Sequence, residues 1–139
     1  MILVVAEKFL MAQTLARAFF GGKPQAEGHV FHGSMDNRRM GITWAQEGHL
    51  LENAEPHAYL PAWQNWDLND LPICPPDFEF KLEPKDEQVV ESICRLLNRA
   101  TEVVNACDAG REGELIFHEL ALWSGLYRRG IPIKRLWIN

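Results

Sequence analysis

The chain has 139 residues, of which 47% are hydrophobic, 24% charged and 10% aromatic. These fractions are typical of a globular domain that buries roughly two-thirds of its unfolded surface, and they exclude the disordered, collagen-like and low-complexity classes. The net charge of −5 argues against a protein that binds DNA non-specifically through a basic surface of its own. It is compatible with a site for a divalent cation, or with a DNA-processing module that takes its basic surface from elsewhere.

The start of the chain and its cysteines indicate the compartment. The apolar opening is interrupted by Glu7 and Lys8, so it is too short to cross a membrane and lacks the layout of a signal peptide. The three cysteines include no Cys-x-x-Cys pair, which predicts neither a disulfide framework nor a zinc site. We therefore expect a cytoplasmic protein with reduced thiols and no membrane contact.

The hydrophobic pattern predicts strands and helices in the order β-α-β-β-α-β-α-β. Residues 2–6 are continuously apolar and rich in β-branched side chains, as in a strand that is buried on both faces of a parallel sheet. The other predicted elements are, in chain order, a helix ending at Gly21-Gly22, strands at 29–32 and 41–45 with a turn at Asp36-Asn37, a helix at 85–98, a strand at 102–107, a helix at 112–126 and a strand at 133–138. This order predicts an α/β fold with a mostly parallel sheet sandwiched by helices.

Each predicted helix has an apolar face that we expect to be buried. The residues on these faces are Met11, Leu15, Ala18 and Phe19 in the first helix, Val89, Val90, Ile93, Leu96 and Leu97 in the second, and Ile116, Leu120 and Trp123 in the third. Trp137 is also expected in the core. Residues 52–84 show no sustained period, are rich in proline and acidic residues, and contain Trp63 and Trp66. We interpret them as a long ordered connection, held by its aromatic residues, within a single domain at 1–139.

Acidic residues follow two of the buried strands. Glu7 directly follows the first strand, and Asp108 directly follows the strand at 102–107. Ligands of open α/β sheets bind at the carboxyl ends of strands, so these two side chains face one crevice if their strands are neighbours. Taken singly, each acid is more simply a helix cap or a partner of a helix dipole. Together with Glu112 and Glu114 they would repel one another unless a cation or a shared proton relieves them, and such a cluster suits Mg²⁺.

Cations and glycines lie beside these acids. Gly110 and Gly113 flank Arg111, and glycine lets a backbone come close to a ligand. Amides at the start of a helix favour an anionic phosphate, and Lys8 and Arg111 could hold a phosphodiester next to the acids. The alternative for Arg111 is an ion pair with a glutamate on its own helix.

Five motifs carry a resemblance to a known family. They are Val-Val-Ala-Glu7-Lys8, Thr43-Trp44 with Gly48-His49-Leu50, Trp66-Asp-Leu-Asn-Asp-Leu-Pro72, Asp108-Ala-Gly-Arg-Glu-Gly-Glu114 and Lys134-Arg-Leu-Trp-Ile138. In this order, and over essentially the whole chain, they resemble the N-terminal Toprim domain of bacterial type IA DNA topoisomerases, closest to topoisomerase III. The resemblance implies the Toprim fold, a compact and mostly parallel α/β sandwich.

The resemblance also implies roles for particular residues. Glu7, Asp108 and Glu112 match the Mg²⁺ ligands of the family, and Glu7 would carry the proton of the leaving and returning DNA hydroxyl. Lys8 and Arg111 would bind the scissile phosphate region of single-stranded DNA, so the implied catalytic residues are Glu7, Lys8 and Arg111. The chain departs from the family pattern where Gly110 replaces a second aspartate, which removes one metal ligand. A second departure is Phe9-Leu10, where members often have Pro-Ser.

The implied activity is ATP-independent cleavage and religation of one DNA strand by transesterification. The nucleophilic tyrosine of this family lies in a later domain, and neither Tyr59 nor Tyr127 has a matching context. We therefore expect the chain to be an N-terminal fragment, inactive alone, whose partners are single-stranded DNA and the remaining topoisomerase domains. The same acids would also serve a stand-alone Toprim nuclease or nucleotidyl-transfer protein, and a non-catalytic DNA–protein scaffold is a third possibility.

Overall fold

The computed structural model of the chain describes residues 1–45, 49–65, 67–74 and 81–137. Its strands and helices are β1 (Ile2–Ala6), α1 (Phe9–Phe20), β2 (Ala26–Glu27), β3 (Val30–Met35), β4 (Arg38–Trp44), β5 (Leu51–Asn53), β6 (Leu82–Pro84), α2 (Glu87–Arg99), β7 (Glu102–Ala106), α3 (Arg111–Trp123) and β8 (Ile133–Arg135). The predicted elements are all present, and β2, β5 and β6 are short additional strands. In the described residues no helix is long and apolar enough to cross a bilayer.

Six strands form one sheet in the order β2-β3-β4-β1-β7-β8. The strands β4, β1, β7 and β8 run parallel to one another, whereas β3 is antiparallel to both β2 and β4. The predicted α/β class and the mostly parallel sheet are confirmed. β1 lies between β4 and β7, with Ile2 opposite both Met40 and Glu102.

Successive side chains of β1 enter two different apolar cores. Leu3 and Val5 belong to the core that contains residues of α2 and α3, among them Val90, Ile93, Leu97, Ile116 and Leu120. Ile2, Val4 and Ala6 belong to the core on the other face, with Ala12, Leu15 and Ala16 of α1. Side chains alternate between the faces of a strand, and here both faces are covered by helices. The continuous apolar run at the start of the sequence follows from this double burial.

The hairpin from β3 to β4 turns at the predicted residues. Asp36 and Asn37 have positive φ angles of 51° and 61°, as a two-residue hairpin turn of the primed type requires. The strand predicted at 29–32 starts one residue later, at Val30, and His29 lies just before it. The His29 Nε2 atom is 2.6 Å from the carbonyl oxygen of Trp44, and the hydroxyl of Thr43 donates to the His29 carbonyl at 2.7 Å.

Three apolar residues that we expected to be buried are exposed. Trp123 and Trp137 are 44% and 65% exposed, and Ala18 also faces solvent. At about 100° per residue, Trp123 lies on the flank of the stripe that α3 buries, and Ala18 lies on the flank of the α1 stripe. The buried stripe of α2 is confirmed, with Val90, Ile93 and Leu97 at its centre.

Two predicted element ends were also wrong. α3 stops at Trp123, because Gly125 takes a positive φ of 68° and starts a new turn before Leu126. β8 stops at Arg135 rather than continuing to residue 138, which lies outside the described residues.

The two ends of the long connection predicted at residues 52–84 lie side by side. β5 and β6 pair antiparallel, with Leu51 opposite Pro84. Between them, the backbone N–H of Lys81 donates to the Tyr59 hydroxyl at 3.0 Å, and the Lys81 ammonium lies 5.1 Å from the centre of the Tyr59 ring. Trp66, the second aromatic residue that we expected to hold this segment, lies outside the described residues, as do residues 75–80. The assignment of 52–84 as an ordered connection within one domain stays a prediction.

Glu102 joins three strands at the amino end of the sheet. Its carboxylate accepts from Arg38 of β4 and from Lys134 of β8, both at 2.8 Å, and its side chain is only 12% exposed. The hydrogen bond from Lys134, followed by the one from Arg38, lowers the pKa of Glu102 below its ordinary value. Folding therefore stabilises the ionised carboxylate of Glu102 relative to its protonated form.

We predict that Glu102→Gln lowers the melting temperature at neutral pH. A carboxyl group whose pKa is lowered by folding stabilises the fold above its ordinary pKa, and this contribution disappears as the pH falls through the lowered pKa. The difference in melting temperature between wild type and variant should therefore shrink as the pH is lowered below about 4.5, which thermal unfolding followed by circular dichroism would measure. Glu91→Gln is the control, since Glu91 forms only an exposed pair with Arg95. A difference that does not depend on pH would contradict the prediction.

Candidate functional site

The parallel pairing of β1 with β7 brings the two predicted acids together. Ala6 lies opposite Ala106, so the residues that follow each strand emerge at the same edge of the sheet. Glu7 leads into α1 and Asp108 leads into α3, as the sequence predicts. The condition for a shared crevice, that the two strands be neighbours, is met.

Lys8 bridges the two carboxylates. Its ammonium nitrogen is 3.1 Å from Oε1 of Glu7 and 3.2 Å from Oδ2 of Asp108. The other oxygen of Glu7 accepts a hydrogen bond of 3.2 Å from the backbone N–H of Asp108. The Glu7 side chain is only 5% exposed, and a buried carboxylate needs such a cation and such donors to offset its lost hydration.

The Lys8 side chain is half-exposed and stays positively charged. The hydrogen bond to Glu7, followed by the one to Asp108, raises the pKa of the Lys8 ammonium above its ordinary value. Two carboxylate oxygens thus converge on one cationic group that solvent can reach. The arrangement can hold a positive charge between the acids and present positive charge to an anion outside.

Gly113 allows α3 to approach this cluster. A Cβ atom on Gly113 would lie 2.3 Å from the carbonyl oxygen of Asp108 and 2.9 Å from Oε2 of Glu7. Both distances are too short, so any side chain at position 113 would displace these groups. Gly110 differs, because a Cβ there would meet no heavy atom within 4 Å and its φ of −149° suits any residue. Gly113 is therefore required by the packing of the site, whereas Gly110 leaves open space beside it.

We predict that Gly113→Ala destabilises the fold by about 1–3 kcal/mol or more, because the added methyl group forces the backbone of Asp108 to move. Gly110→Ser is the matched control, since it also adds a Cβ atom in this loop but in open space, at a helix N-cap where serine is favourable. Chemical denaturation of both variants would measure the difference. Equal stability of the two variants would contradict the close approach at Gly113.

Glu114 points away from the Lys8 bridge. Its Oε1 accepts from Nε of Arg135 at 2.7 Å, and its Oε2 accepts from the side-chain amide of Asn105 at 3.1 Å. In the part of the chain that the structure describes, no ion pair joins Arg111 to Glu112 or Glu114. Arg111 is exposed at the first residue of α3, so its guanidinium is available to a ligand.

The predicted metal ligands are only partly brought together. Glu7 and Asp108 share the Lys8 ammonium, whereas Glu112 is exposed in the first turn of α3. Within residues 1–45, 49–65, 67–74 and 81–137, no three or more His, Cys, Asp or Glu side chains form a group that could hold a metal ion. The structure therefore supplies a pair of carboxylates, and Glu112 as a third ligand stays a prediction.

Arg135 and Asn105 support the site, although the sequence assigned no role to either of them. The guanidinium of Arg135 donates to the carbonyl oxygens of Cys107 at 2.9 Å and Asn105 at 3.1 Å, next to Asp108. The side-chain oxygen of Asn105 accepts from the backbone N–H of Cys107 at 3.0 Å. The signal that would have found them is the strand register that places Asn105 opposite Arg135, which the sequence does not reveal.

Three further residues, Phe9, His49 and Cys107, have structural roles. Phe9 packs against Trp44 and Phe31, with ring centres 5.0 Å and 5.8 Å apart, and so anchors the start of α1, where no side chain caps the helix. His49, to which the sequence assigns no role, contacts Glu119 of α3 at 3.0 Å.

Cys107 is the third of these residues. Burial, with the negative charge of Glu7 as the next cause, raises the pKa of the Cys107 thiol to about 12. The thiol therefore stays protonated at neutral pH, and Cys107 is not available as a nucleophile.

The geometry agrees with comparisons to known proteins. The Toprim domain family matches residues 2–139, which is nearly the whole chain. The chain belongs to the Toprim domain family. It is 36% identical over 139 residues to the DNA topoisomerase 3 of Staphylococcus haemolyticus, and 35% identical over 126 residues to that of Haemophilus influenzae. Its identity to the DNA topoisomerase 3 of Bacillus subtilis is 34% over 138 residues.

The coverage of these matches is unequal. They include 99%, 91% and 98% of this chain but only 18%, 19% and 18% of the respective relatives. This Toprim domain thus spans less than a fifth of the length of the curated relatives it matches. The resemblance inferred from the five motifs is confirmed at the level of the domain and of its relatives.

Proposed function

We propose that this Toprim domain provides the acid–base, metal-binding and phosphate-binding residues of a topoisomerase III-like type IA enzyme. Such an enzyme cleaves and religates single-stranded DNA by transesterification in the cytoplasm, and the remaining domains would supply the nucleophilic tyrosine. The observation that carries the proposal is the Lys8 ammonium held between Glu7 and Asp108 at the ends of neighbouring parallel strands. Relatives named DNA topoisomerase 3 support it over a stand-alone nuclease.

In this proposal Glu7 carries the proton. Cleavage breaks the bond from phosphorus to a DNA oxygen, and that oxygen needs a proton as it leaves, which Glu7 would give and would take back on religation. The carboxyl group is 5% exposed, and the hydrogen bonds to Lys8 and to the Asp108 amide fix its orientation. A fixed and nearly dry carboxyl group transfers a proton to one defined position rather than to bulk water.

In this proposal Lys8 and Arg111 bind the phosphate. The Lys8 ammonium is half-exposed above the acids, and Arg111 is exposed at the start of the 13-residue helix α3. Free amides and the dipole at a helix start also favour an anion. A DNA phosphate beside both cations would lie within reach of Glu7, as proton transfer requires.

The residues fit a weakly bound Mg²⁺ ion. Oxygens of Glu7 and Asp108 both lie within 3.2 Å of the Lys8 nitrogen, so they already converge on one cation. Mg²⁺ in proteins commonly uses one or two carboxylates and completes its shell with water and substrate phosphate. When bound, Mg²⁺ would neutralise charge on the phosphate oxygens. Glu7 and Asp108 would hold it, with Glu112 as the proposed third ligand.

We predict weak Mg²⁺ binding by the chain, abolished in Asp108→Ala and strengthened in Gly110→Asp. The second change restores a carboxylate at the position where the family pattern has one, and the structure has open space for it. Isothermal titration calorimetry would measure the affinities. Gly110→Asn is the matched control, because it has the same shape and the same capping ability without the charge. Equal Mg²⁺ binding by wild type and Asp108→Ala would contradict the site.

We predict that Glu7→Gln in the full enzyme slows DNA cleavage by about 10²–10⁴-fold and leaves binding of a single-stranded oligonucleotide nearly unchanged. The amide keeps the shape of the side chain but cannot transfer the proton. Labelled oligonucleotide on denaturing gels would measure the covalent adduct, and Glu91→Gln, on the exposed face of α2, is the control. Full cleavage activity in Glu7→Gln would refute the assigned role.

The 139-residue chain alone should form no adduct. The Tyr59 hydroxyl accepts from the Lys81 amide at 3.0 Å, and the Tyr127 hydroxyl bonds His118 at 3.0 Å, so both have structural partners. An adduct mapped to either tyrosine would overturn the view that the nucleophile comes from another domain.

A further inference from the structure

The amino end of the sheet, opposite the Lys8 bridge, contains a cavity of about 680 Å³. It lies between the hairpin of β3 and β4 and the last turn of α2, with His32 and Arg39 on one side and Arg99 on the other. This volume is within the range of small-ligand pockets. No role that we propose for the carboxyl end of the sheet uses these residues.

Within the described residues, Arg39 and Arg99 make no stabilising side-chain contact of the kind that the nearby Arg38 and Arg129 make. Arg38 pairs with Glu102, and Arg129 donates to the terminal carbonyl groups of α2, at Leu97 and Ala100. Because Arg129 already satisfies that helix end, Arg99 is not needed there. In the part of the chain that the structure describes, neither Arg39 nor Arg99 makes an ion pair or a side-chain hydrogen bond.

The charge of the cavity favours an anion. Two guanidinium groups and the imidazole of His32 line it, against one carboxylate, that of Glu27, which pairs with neither arginine. Guanidinium groups match the oxygens of a phosphate with paired hydrogen bonds, and an imidazole N–H adds a further donor. A phosphate group therefore suits this lining better than an uncharged apolar ligand or a cation.

We propose that Arg39, Arg99 and His32 form a second phosphate-binding site, occupied by the phosphodiester backbone of single-stranded DNA. The site lies at the opposite end of the sheet from Lys8 and Arg111, so it would hold a different stretch of strand from the one at the acids. Only the choice of DNA as the source of the phosphate rests on the proposed function. The basic cavity also explains how a chain with a net charge of −5 can contact DNA away from its acidic site.

The test is fluorescence anisotropy of a labelled oligothymidylate with the chain at several salt concentrations. We expect Arg39→Gln/Arg99→Gln to weaken binding several-fold and to flatten the slope of log affinity against log salt by about 0.7 for each phosphate that is no longer neutralised. Arg17→Gln/Arg95→Gln is the control, because it removes the same charge from exposed helix positions. Far-UV circular dichroism checks that all variants fold, and Arg39→Lys/Arg99→Lys should restore part of the affinity and the slope. Binding equal to that of the control pair overturns the proposal.

Two further arms separate the sources of phosphate and the two sites. Inorganic phosphate is titrated into wild type and Arg39→Gln/Arg99→Gln by calorimetry, and binding by the wild type alone supports the anion site. If inorganic phosphate binding depends on the arginines but oligonucleotide binding does not, DNA is overturned as the source. Lys8→Gln/Arg111→Gln tests the acidic end separately. Because the two sites lie at opposite ends of the sheet, the losses of binding free energy in the two double variants should add when the four changes are combined. Weaker binding with only one of the two pairs identifies which of the two proposed sites has failed.

Discussion

The burial of Glu7 is the constraint on which the rest of the site depends. Glu7 directly follows a strand whose five residues are all buried, and its own side chain is 5% exposed. Removing a carboxylate from water is expensive unless a cation and hydrogen-bond donors replace the lost hydration. Two neighbours supply these: Lys8, the next residue, and the backbone N–H of Asp108, which the pairing of β1 with β7 brings alongside. The central strand of the sheet therefore determines where the chemistry can be.

The loop that carries Asp108 is held from three directions. Gly113 lets α3 lie against its backbone, Asn105 binds the N–H of Cys107, and Arg135 binds the carbonyl of Cys107 from the neighbouring strand β8. These contacts involve backbone atoms, so they fix the path of the chain rather than one side chain. A site built on such a loop keeps its two carboxylates in register without a bound ion.

Features that depend on the local sequence pattern could be predicted, whereas contacts that depend on the register between strands could not. The apolar run of β1, the turn at Asp36-Asn37 and the stripe of α2 are local, and all three are confirmed. That Glu7 and Asp108 lie at the same edge of the sheet could be predicted, because both follow buried strands. That their two strands are neighbours is known from the structure. The role of Arg135 could not be predicted, because it depends on the register that pairs Arg135 of β8 with Asn105 of β7. In the sequence, Arg135 is one of several basic residues near the end of the chain.

The exposure of Trp123 shows a further limit of prediction from hydrophobic spacing. Hydrophobic spacing gives the direction of a helix face to within a few tens of degrees, and residues on its flank are buried only if a neighbouring element reaches them. Trp123 lies on such a flank, at the last residue of α3. Spacing alone cannot say whether a neighbour is present.

Lys8 connects the fold of the site to its proposed chemistry. Its ammonium and a Mg²⁺ ion would use the same oxygens of Glu7 and Asp108, so the two cations compete for one position. While Lys8 is there, the acids are compensated and the fold does not require a metal. A DNA phosphate offers Lys8 a second anionic partner, and every hydrogen bond that it transfers to the phosphate releases carboxylate oxygens for the ion. Metal and DNA should therefore bind with positive coupling, and by linkage each should raise the affinity for the other by the same factor.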